Sequence, residues 1–489
     1  MVRKVIVLGG GTAGLTAALT LKVRIPELQV RVVRSPEIGV IGVGEGTNVT
    51  FIQHFFEYLR LNVREFHALT EPTWKLGIRF LWGPRPEFFY PFAVEHTARW
   101  SGLSRMNAFY EDADTLWTGP VSAMMAHDKA FARKPDGTPA WHNTYAFHVE
   151  NRKLVSGLET LCVRTGVEIT DGTMREAERG PQGIASLKLE SGECVSADLF
   201  VDASGFRSEL LGRALGEPYQ SFGRSLFCDR AVIGGWPRTS EPIKPYTTAE
   251  TMDAGWCWQI EHEHFINRGY VYASAFLDDD AAQAEFLRQN PRVATEPRVV
   301  NFQSGRYARC WAENVVGVGN ASGFVEPLEA TAIQVITWQA RTLADLLVDG
   351  RGEVTPSMRS LYNRHNCGHW DEVRDFLAIH YRFNTRLDTP FWRACRSDTD
   401  LAGAAPLVDF YTENGPSLLT AGTLVSAASP FGLEGYVALL TGQCAPQQPP
   451  WAPPAQEHRV WQEHLARFQA DAQRAMSVRE CLAAVRGLP

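Results

Sequence analysis

A chain of 489 residues is too long for a single hydrophobic core, so at least two domains are expected. Charged residues make up 21% of the chain and its net charge is −7, which excludes the basic surface that nucleic-acid binding requires. The nine cysteines form neither a C-x-x-C pair nor a Cys/His cluster, so we expect no metal site and reduced thiols in a cytoplasmic protein.

The N-terminal region predicts a strand, a helix and a second strand. The apolar runs V-I-V-L at 5–8 and V-R-V-V at 30–33 bracket a helical pattern over 13–24, which is the order of a parallel βαβ unit. Glycines interrupt this apolar region, so it predicts strand, loop and helix rather than a membrane span or a signal peptide.

The loop after the first strand fits the dinucleotide-binding pattern G-x-G-x-x-G. Gly9 would turn the chain tightly, Gly11 would let the backbone approach a pyrophosphate, and Gly14 would let helix and strand pack closely. The helix N-terminus would add free N–H groups and a positive dipole. Thr12 and Ala13, which begin the helix, are therefore also expected beside the cofactor.

Arg34 stands about 20 residues further on, where this pattern usually has a ribose-binding carboxylate. Its guanidinium could stack on adenine or contact a phosphate, or it could be a solvated charge at the end of the second strand. We do not infer NADP from it. A second nucleotide fingerprint is absent from the sequence, so an internal nicotinamide site is not predicted.

Two later turns could complete one FAD site. The segments 202–205 (D-A-S-G) and 319–323 (G-N-A-S-G) each follow an apolar strand. Gly319 and Asn320 in the second turn precede a helix predicted over 328–349, whose N-terminus could face the isoalloxazine ring.

The remaining segments predict inserted structure and a C-terminal helix. Residues 75–150 and 216–310 are rich in aromatics and prolines and show few helical periods, which favours substrate-facing strands and loops. A segment rich in proline and glutamine at 443–457 is typical of a linker, and residues 456–486 predict one helix.

Trp256 and Trp258 lie one residue apart in G-W-C-W-Q-I-E-H-E, residues 255–263. Side chains two apart share one face of a strand, so the pair is either ordinary sheet packing or the wall of a pocket.

Together these segments resemble the flavin-dependent halogenases of the tryptophan-halogenase type, over residues 1 to about 392. The resemblance begins with G-G-G-T-A-G at 9–14 and with I-G-V-G-E-G-T at 41–47, which is similar to the family's flavin strap I-G-V-G-E-A-T. T-W-K-L-G-I-R-F at 73–80 is similar to the segment that carries the family's essential lysine, and G-W-C-W-Q-I-E is similar to the motif W-x-W-x-I-P. V-G-N-A-S-G-F-V-E-P-L-E-A-T-A-I at 318–333 is similar to G-x-x-x-x-F-x-E-P-L-E-S-T-G-I, and residues 374–392 also resemble the family.

The resemblance implies an α/β fold, namely the FAD-binding Rossmann-like (GR2-type) fold of flavin monooxygenases with an added, largely helical substrate lobe. The expected division is an FAD-binding module at 1–72, 151–215 and 311–350, a substrate-facing sheet with loops at 73–150 and 216–310, and a mainly helical lobe at 351–489.

The resemblance also implies a two-component reaction. A separate flavin reductase supplies reduced FAD, which with O2 and bound halide yields hypohalous acid. The acid passes through a tunnel to a lysine beside a small aromatic substrate. Confinement is chemically sensible, because free hypohalous acid would oxidise Met, Cys and Trp without selectivity. A homodimer is compatible with this family, although no feature of the sequence argues for one.

Two residues take catalytic roles by this resemblance. Lys75 would hydrogen-bond hypohalous acid or form a haloamine; alone, it would be interpreted as a snorkelling surface lysine beside Trp74. Glu329 would stabilise the cationic ring intermediate or help remove its proton; alone, it would be interpreted as a carboxylate in the first turn of a helix. Glu326, before Pro327, is the weaker candidate.

The halide site would use the backbone N–H groups of Thr331 and Ala332. Ala330 replaces the family's serine and Ala332 its glycine. Alanine keeps the N–H but disfavours positive φ and adds a methyl group, so a preference for bromide is one hypothesis.

Further residues carry over from the matched motifs. The strap would place Gly42, Val43, Gly44 and Glu45 beside the flavin, and the P-L-E segment would add Ile333. Trp256 and Trp258, with Phe92, would wall the passage between flavin and substrate. Glu261 replaces the proline of W-x-W-x-I-P, so it adds a charge and restores a backbone donor.

The expected substrate is an electron-rich arene, such as an indole without full amino-acid recognition, a phenol or a pyrrole. Residues 417–442 contain no tryptophan and one acid, Glu434, so the tryptophan-binding residues of the family do not carry over. Phe89, Tyr90 and Phe92 could line an aromatic pocket or form a packed loop. The alternative functions are a flavin-dependent aromatic hydroxylase and a non-catalytic FAD-binding protein.

Overall fold

The structure is a computed structural model that describes residues 1–37, 39, 44–448 and 451–487. The helices are, in chain order, α1 Thr12–Arg24, α2 Val49–Ile52, α3 Val63–Thr70, α4 Pro120–Ala126, α5 Asn151–Thr165, α6 Asp279–Gln289, α7 Thr331–Asp349, α8 Pro356–Phe383, α9 Pro390–Asp398, α10 Ala405–Asn414, α11 Gly432–Gly442, α12 Ala455–Arg474 and α13 Val478–Arg486. The strands are β1 Lys4–Leu8, β2 Gln29–Arg34, β3 Glu45–Gly46, β4 Thr73–Lys75, β5 Gly77–Leu81, β6 Phe88–Pro91, β7 Lys129–Phe131, β8 Ala146–Val149, β9 Glu168–Asp171, β10 Met174–Gly180, β11 Gly183–Leu189, β12 Cys194–Val195, β13 Leu199–Asp202, β14 Tyr219–Ser221, β15 Arg230–Pro237, β16 Tyr246–Met252, β17 Gly255–Glu261, β18 Phe265–Tyr272, β19 Arg298–Asn301, β20 Gly305–Tyr307, β21 Trp311–Ala312, β22 Val315–Gly317, β23 Gly323–Phe324 and β24 Met476–Ser477.

The first of two compact units comprises Met1–Glu71, Val149–Gly223 and Phe302–Val373. Among its described residues, six strands form one sheet in the order β21-β22-β13-β1-β2-β9. The central strand β1 pairs in parallel with β2 and β13. Both β1 and β13 are almost wholly buried, as expected for parallel strands in a covered sheet, and α1 packs against α5 and α7.

The second unit comprises Pro72–His148, Arg224–Asn301 and Arg374–Pro489. In its described part, seven strands form one sheet in the order β19-β15-β18-β17-β16-β5-β6. The strands β15 to β18 pair antiparallel, whereas β16 and β5 run parallel. The lysine-bearing strand β4 pairs antiparallel with β8.

The predicted βαβ unit is confirmed, since β1, α1 and β2 lie within one residue of the predicted limits. The helix predicted over 328–349 was wrong at its start: α7 begins at Thr331, because Ala330 takes the left-handed conformation with φ of 56°. The single helix predicted over 456–486 was also wrong. Ala475 is extended, and it separates α12 from β24 and α13.

The two compact units do not coincide with the three predicted parts. Residues 216–223 and 302–310, which were expected in the substrate-facing part, lie in the first unit. Residues 351–373, which were expected in a C-terminal lobe, belong to the first unit. The functional labels given to the predicted parts stay predictions. No helix in the described ranges is both long and apolar enough to cross a membrane.

Candidate active site

The glycines of the first loop have distinct surroundings within the first unit. Gly9 has φ of 121°, and a Cβ atom added to it would lie 2.2 Å from the carbonyl oxygen of Ala203. A Cβ added to Gly14 would lie 1.8 Å from the carbonyl oxygen of Gly9. A Cβ added to Gly11 would meet nothing within 4 Å. Two glycines are therefore required by packing, and the third borders open space that suits a pyrophosphate.

The N-terminus of α1 opens at this loop. Gly11 is the N-cap, Thr12 is the first helical residue, and the first turn carries no acid. The first amides of a helix have no intrahelical acceptor, so they are free to bind phosphate oxygens. The cradle at Gly11 and this helix end together fit the dinucleotide that the sequence predicts.

A chain of hydrogen bonds joins this helix end to the flavin strap. The Thr12 hydroxyl donates to Oδ1 of Asn151 over 2.8 Å, and Nδ2 of Asn151 donates to Oε1 of Glu45 over 3.3 Å. Burial raises the pKa of Glu45 to about 7. Sequence reasoning missed Asn151, the first residue of α5, because its only signal is a polar residue at a helix start far along the chain.

Residues 44–47 are the described part of the strap. Gly42 and Val43 lie outside the described residues. Gly44 has φ of 126°, a conformation that favours glycine, and Glu45 begins β3. Beyond the strap, Nδ2 of Asn48 donates to Oε1 of Gln334 over 2.8 Å, which joins this region to α7.

Arg34 is held by two carboxylates. Its Nε donates to Asp171 over 2.7 Å and its Nη1 to Glu159 over 2.6 Å. These hydrogen bonds raise its pKa, that to Asp171 most. The aliphatic part of the side chain covers Gly10, where an added Cβ would lie 2.7 Å from Cβ of Arg34. Arg34 ends β2 with its side chain 30% exposed, so the alternative of a solvated charge at the strand end is compatible with the structure, and a contact with the cofactor stays a prediction.

The two later turns approach the glycine loop in different ways. Asp202 is fully buried and accepts hydrogen bonds from Ser204 and from the amides of Leu210 and Leu211, so its carboxylate holds its own turn together. At Gly319, with φ of 61°, an added Cβ would lie 3.0 Å from Cβ of Ala13. Asn320 follows it in the same short turn. The second turn thus packs against the helix that opens the nucleotide loop.

The segment before α7 differs from its sequence interpretation in two respects. Glu329 is 3% exposed and precedes the N-cap Ala330, so the alternative of a first-turn carboxylate was wrong. Ala332 lies inside α7, so the concern about positive φ does not apply to it but to Ala330. A non-glycine residue in this conformation stores strain, as functional sites often do.

The first amides of α7 meet the requirement of an anion site. Thr331 and Ala332 occupy the first two helical positions, whose N–H groups have no intrahelical acceptor. The side chains of Thr331 and Ile333 are 1% exposed. Among the described residues, the Thr331 hydroxyl has no hydrogen-bond partner. Buried polar atoms of this kind are uncommon in native proteins.

In the second unit, Lys75 is completely buried. It ends β4, where it lies opposite Ala146 of β8. Its Nζ lies 5.2 Å from the centre of the Phe92 ring, a cation–π distance. The alternative of a snorkelling surface lysine was therefore wrong. Burial of an ammonium is costly, so a lysine at such a position is a candidate for function.

His148 is a second buried titratable group in this region, and sequence reasoning missed it. It lies opposite Thr73 in the β4–β8 pair, and its Nε2 lies 2.9 Å from the hydroxyl of Thr247. Burial, and next the positive charge of Lys75, lower its pKa well below the ordinary value. The imidazole is therefore neutral beside Lys75 and adds no second positive charge.

The two tryptophans share one face of β17. Trp256 is 1% and Trp258 6% exposed, and their ring centres lie 6.0 Å apart. Among the described residues, the indole N–H of Trp258 has no hydrogen-bond partner. Buried indole N–H groups usually find one, so this N–H is available to a bound molecule.

The aromatic residues in and directly after β6 divide into two groups. Phe89 packs against Tyr246 and Tyr90 against Phe376, and both are buried, which supports the packed alternative for them. Phe92 is only partly buried and lies beside Lys75.

Glu434 is fully engaged within the protein. Its two carboxylate oxygens accept hydrogen bonds from the amides of Glu95, His96 and Thr97 and from the Thr97 hydroxyl. The one acid of 417–442 therefore holds a loop and has little capacity left for a ligand's ammonium group.

Comparisons with known proteins agree with this geometry. The sequence profile of a family described as tryptophan halogenase matches residues 4–452. The tryptophan 6-halogenase ThaL of Streptomyces albogriseolus is 33% identical over 424 residues, which cover 80% of this chain and 78% of its own. The structure of MibH, a lathipeptide tryptophan 5-halogenase, has a TM-score of 0.89 at 37% identity and covers 99% of this chain and 94% of its own. BrvH, a flavin-dependent halogenase from Brevundimonas sp. BAL3, has a TM-score of 0.85 at 29% identity and covers 100% of both chains. The predicted FAD-binding, Rossmann-like α/β fold is confirmed.

Proposed function

This chain belongs to the tryptophan halogenase family and is an enzyme, a flavin-dependent halogenase, and on that premise we propose that it halogenates an indole ring that is not part of a free amino acid. The observation that carries the proposal is the engagement of Glu434 by four internal hydrogen bonds. The likeness to MibH, named a lathipeptide tryptophan halogenase, favours a tryptophan residue within a peptide. Family membership sets aside the aromatic hydroxylase and the non-catalytic flavoprotein.

We assign FAD to the glycine loop and its surroundings. Gly11, Thr12 and Ala13 would border the pyrophosphate, and Gly9 and Gly14 would shape the loop that holds it. The further cofactor contacts are the Arg34 side chain, the strap from Gly42 and Val43 to Gly44 and Glu45, the turn Gly319 and Asn320, and Ile333. When bound and reduced, FAD supplies the two electrons with which O2 and halide form hypohalous acid and water.

The remaining roles belong to side chains and amides of this chain. The amides of Thr331 and Ala332 would bind the halide at the positive end of α7. Lys75 would hold hypohalous acid by a hydrogen bond and direct its halogen to the arene carbon. Trp256 and Trp258 would keep the arene away from the flavin. Glu329 would accept the ring proton that the halogen replaces, which restores aromaticity.

We propose that a separate flavin reductase supplies the reduced FAD through transient contact and that both proteins act in the cytoplasm. A homodimer is the oligomeric state that we propose for this protein. The altered site, in which Ala332 adds a methyl group in place of the family's glycine and Ala330 lacks the hydroxyl of the family's serine, is the basis on which we propose a preference for bromide over chloride. Equal concentrations of the two halides should therefore give mainly brominated product, and a predominance of chlorinated product would contradict this preference.

One assay tests the function and the substrate together. Purified protein, a generic flavin reductase, NADH, FAD and bromide would be incubated with indole, free tryptophan, N-acetyltryptophanamide or a short tryptophan peptide, and products read by mass spectrometry. We expect a halide-dependent mass shift, with higher kcat/KM for the blocked or peptide-borne indoles than for free tryptophan. A preference for free tryptophan would overturn the substrate proposal, and the absence of halide-dependent products from every arene would overturn the reaction.

A further inference from the structure

Glu261, which stands in place of the family's proline, forms a fully buried ion pair. Its Oε2 accepts a hydrogen bond from Nη2 of Arg238, and the side chains of both residues are 1% exposed. Its Oε1 accepts from Nε2 of Gln259 over 2.6 Å. Both carboxylate oxygens are thus satisfied, as a buried charge requires.

The guanidinium of Arg238 is fixed from further directions. Its Nε donates to the carbonyl oxygen of His262 over 3.0 Å, and its Nη1 to that of Pro242 over 2.7 Å. The planar guanidinium group of Arg238 therefore joins Glu261, the last residue of β17, and the following His262 to Pro242 in the segment before β16. Buried pairs of this kind are weak evidence for stability, but they can specify one arrangement of the chain.

The backbone of Glu261 contacts the lysine-bearing strand. Its carbonyl oxygen accepts a hydrogen bond from the hydroxyl of Thr73, which is 1% exposed. Thr73 and Lys75 are two residues apart in β4, so their side chains lie on the same face of that strand. This hydrogen bond thus joins the end of the strand that carries Trp256 and Trp258 to the face of β4 that carries Lys75.

We propose that the Arg238–Glu261 pair is a positioning device for Lys75, acting through the hydrogen bond between Thr73 and the Glu261 carbonyl. In this chain the ion pair fixes the carbonyl whose position a proline ring would otherwise restrain. In this proposal Arg238, Glu261 and Thr73 act on the position of Lys75 and not directly on the reacting atoms. The inference rests on the proposed use of Lys75 to hold hypohalous acid, since its consequence is how much of that acid reaches the arene.

The sharpest variant is Thr73→Val, which removes the hydroxyl and keeps the shape of the side chain. Small displacements of a reacting group are costly, so we expect the ratio of halogenated arene to released hypohalous acid to fall roughly tenfold. The released acid is measured with a trap such as monochlorodimedone. The KM for the arene should stay unchanged if Thr73 acts only through Lys75, because its hydroxyl is engaged by the Glu261 carbonyl. Thr73→Ser keeps the donor and should restore the ratio.

Two further variants separate positioning from folding. Glu261→Gln keeps the shape but weakens the pair, and it should lower the same ratio in the same direction. Thr70→Val removes an equally buried hydroxyl, which donates to the carbonyl of Phe66 four residues earlier in the chain. It should leave the ratio unchanged, at a comparable melting temperature.

The product ratios of these variants distinguish positioning of Lys75 from a general packing effect. A wild-type ratio in folded Thr73→Val overturns the proposal, and so does an equal loss in Thr73→Ser or Thr70→Val, which would indicate a general packing effect. A failure of the proposed function looks different, because wild type would then give no halide-dependent product and Lys75→Met would change nothing.

Discussion

The indole of Trp258 lies directly over Gly269 on the neighbouring strand β18. The two residues are opposite each other in the β17–β18 pair, and a Cβ added to Gly269 would lie 2.0 Å from Cζ2 of Trp258. Cross-strand neighbours are normally close enough for their side chains to touch. Here the absence of a side chain on one strand makes room for the largest side chain on the other.

Gly269→Ala should therefore destabilise the protein and displace Trp258. Overpacking a buried site costs about 1–3 kcal/mol, which chemical denaturation measures. In a Trp258→Ala background the same change should cost much less, since the colliding ring is gone. Gly368→Ala in α8 is the control, because its added Cβ meets nothing within 4 Å and should be neutral or stabilising. Equal costs of Gly269→Ala in both backgrounds would contradict the packing relationship.

Lys75→Met should abolish arene halogenation while halide oxidation continues. Methionine replaces the buried side chain with an apolar one of similar length, so the fold should be kept without a buried charge. We expect halogenated product to fall at least about 100-fold, because the positioned group is lost. Trapped hypohalous acid should persist at a rate near that of wild type. Turnover like that of wild type would show that Lys75 is not required.

Asn151→Ala should weaken FAD binding. The change breaks the hydrogen bonds that join Thr12 to Glu45, and one such bond contributes on the order of 1 kcal/mol, or a roughly fivefold rise in Kd. Flavin fluorescence titration measures it. The control Asn363→Ala removes two hydrogen bonds to the backbone of Trp311 in the same unit and should leave the Kd unchanged. A Kd unchanged in Asn151→Ala would exclude this link from the cofactor site.

The features predicted correctly have local causes. The glycine loop and the βαβ unit depend on residues that are neighbours in the sequence, because the conformational freedom of glycine and the periodicity of apolar residues determine both structures. The lysine segment was found through its match to a motif, while the burial of Lys75 depends on packing that no short segment reveals.

The features that the sequence did not reveal depend on distant partners. Asn151 lies 139 residues from Thr12, and Arg238 and Thr73 meet Glu261 across separations of 23 and 188 residues. The identity of a polar residue does not indicate which distant residue forms hydrogen bonds with it in the folded protein. The prediction of where α7 starts failed for another reason, because alanine rarely takes the left-handed conformation that Ala330 adopts.

The buried cluster around His96 makes stability depend on pH. Nδ1 of His96 lies 2.7 Å from Glu111, and the side chains of both are almost completely buried. Burial alone would lower the pKa of His96, but the charge of Glu111 and its hydrogen bond, then the charges of Glu434 and Glu95, raise it to about 9. Arg85 lies 3.5 Å from the other oxygen of Glu111.

A histidine whose pKa rises on folding stabilises the folded state fully below its unfolded pKa of about 6.5. That contribution disappears as the pH rises towards 9. Glu95 acts in the same sense at lower pH, because burial raises its pKa to about 7, so its contribution disappears between about 4.5 and 7. Each of these two groups therefore contributes a decrease in stability as the pH rises through its own interval.

His96→Asn isolates the upper interval. The amide nitrogen of asparagine can take the position of Nδ1, so a donor to Glu111 remains but no proton is lost on titration. Melting temperatures measured from pH 5 to 9.5 should fall less steeply above pH 7 in the variant than in wild type, and equally below it. Exposed His458→Asn is the control for the loss of a histidine at the surface, and its melting temperatures should follow those of wild type throughout. Parallel curves for wild type and His96→Asn above pH 7 would mean that His96 is not the group whose deprotonation weakens the fold.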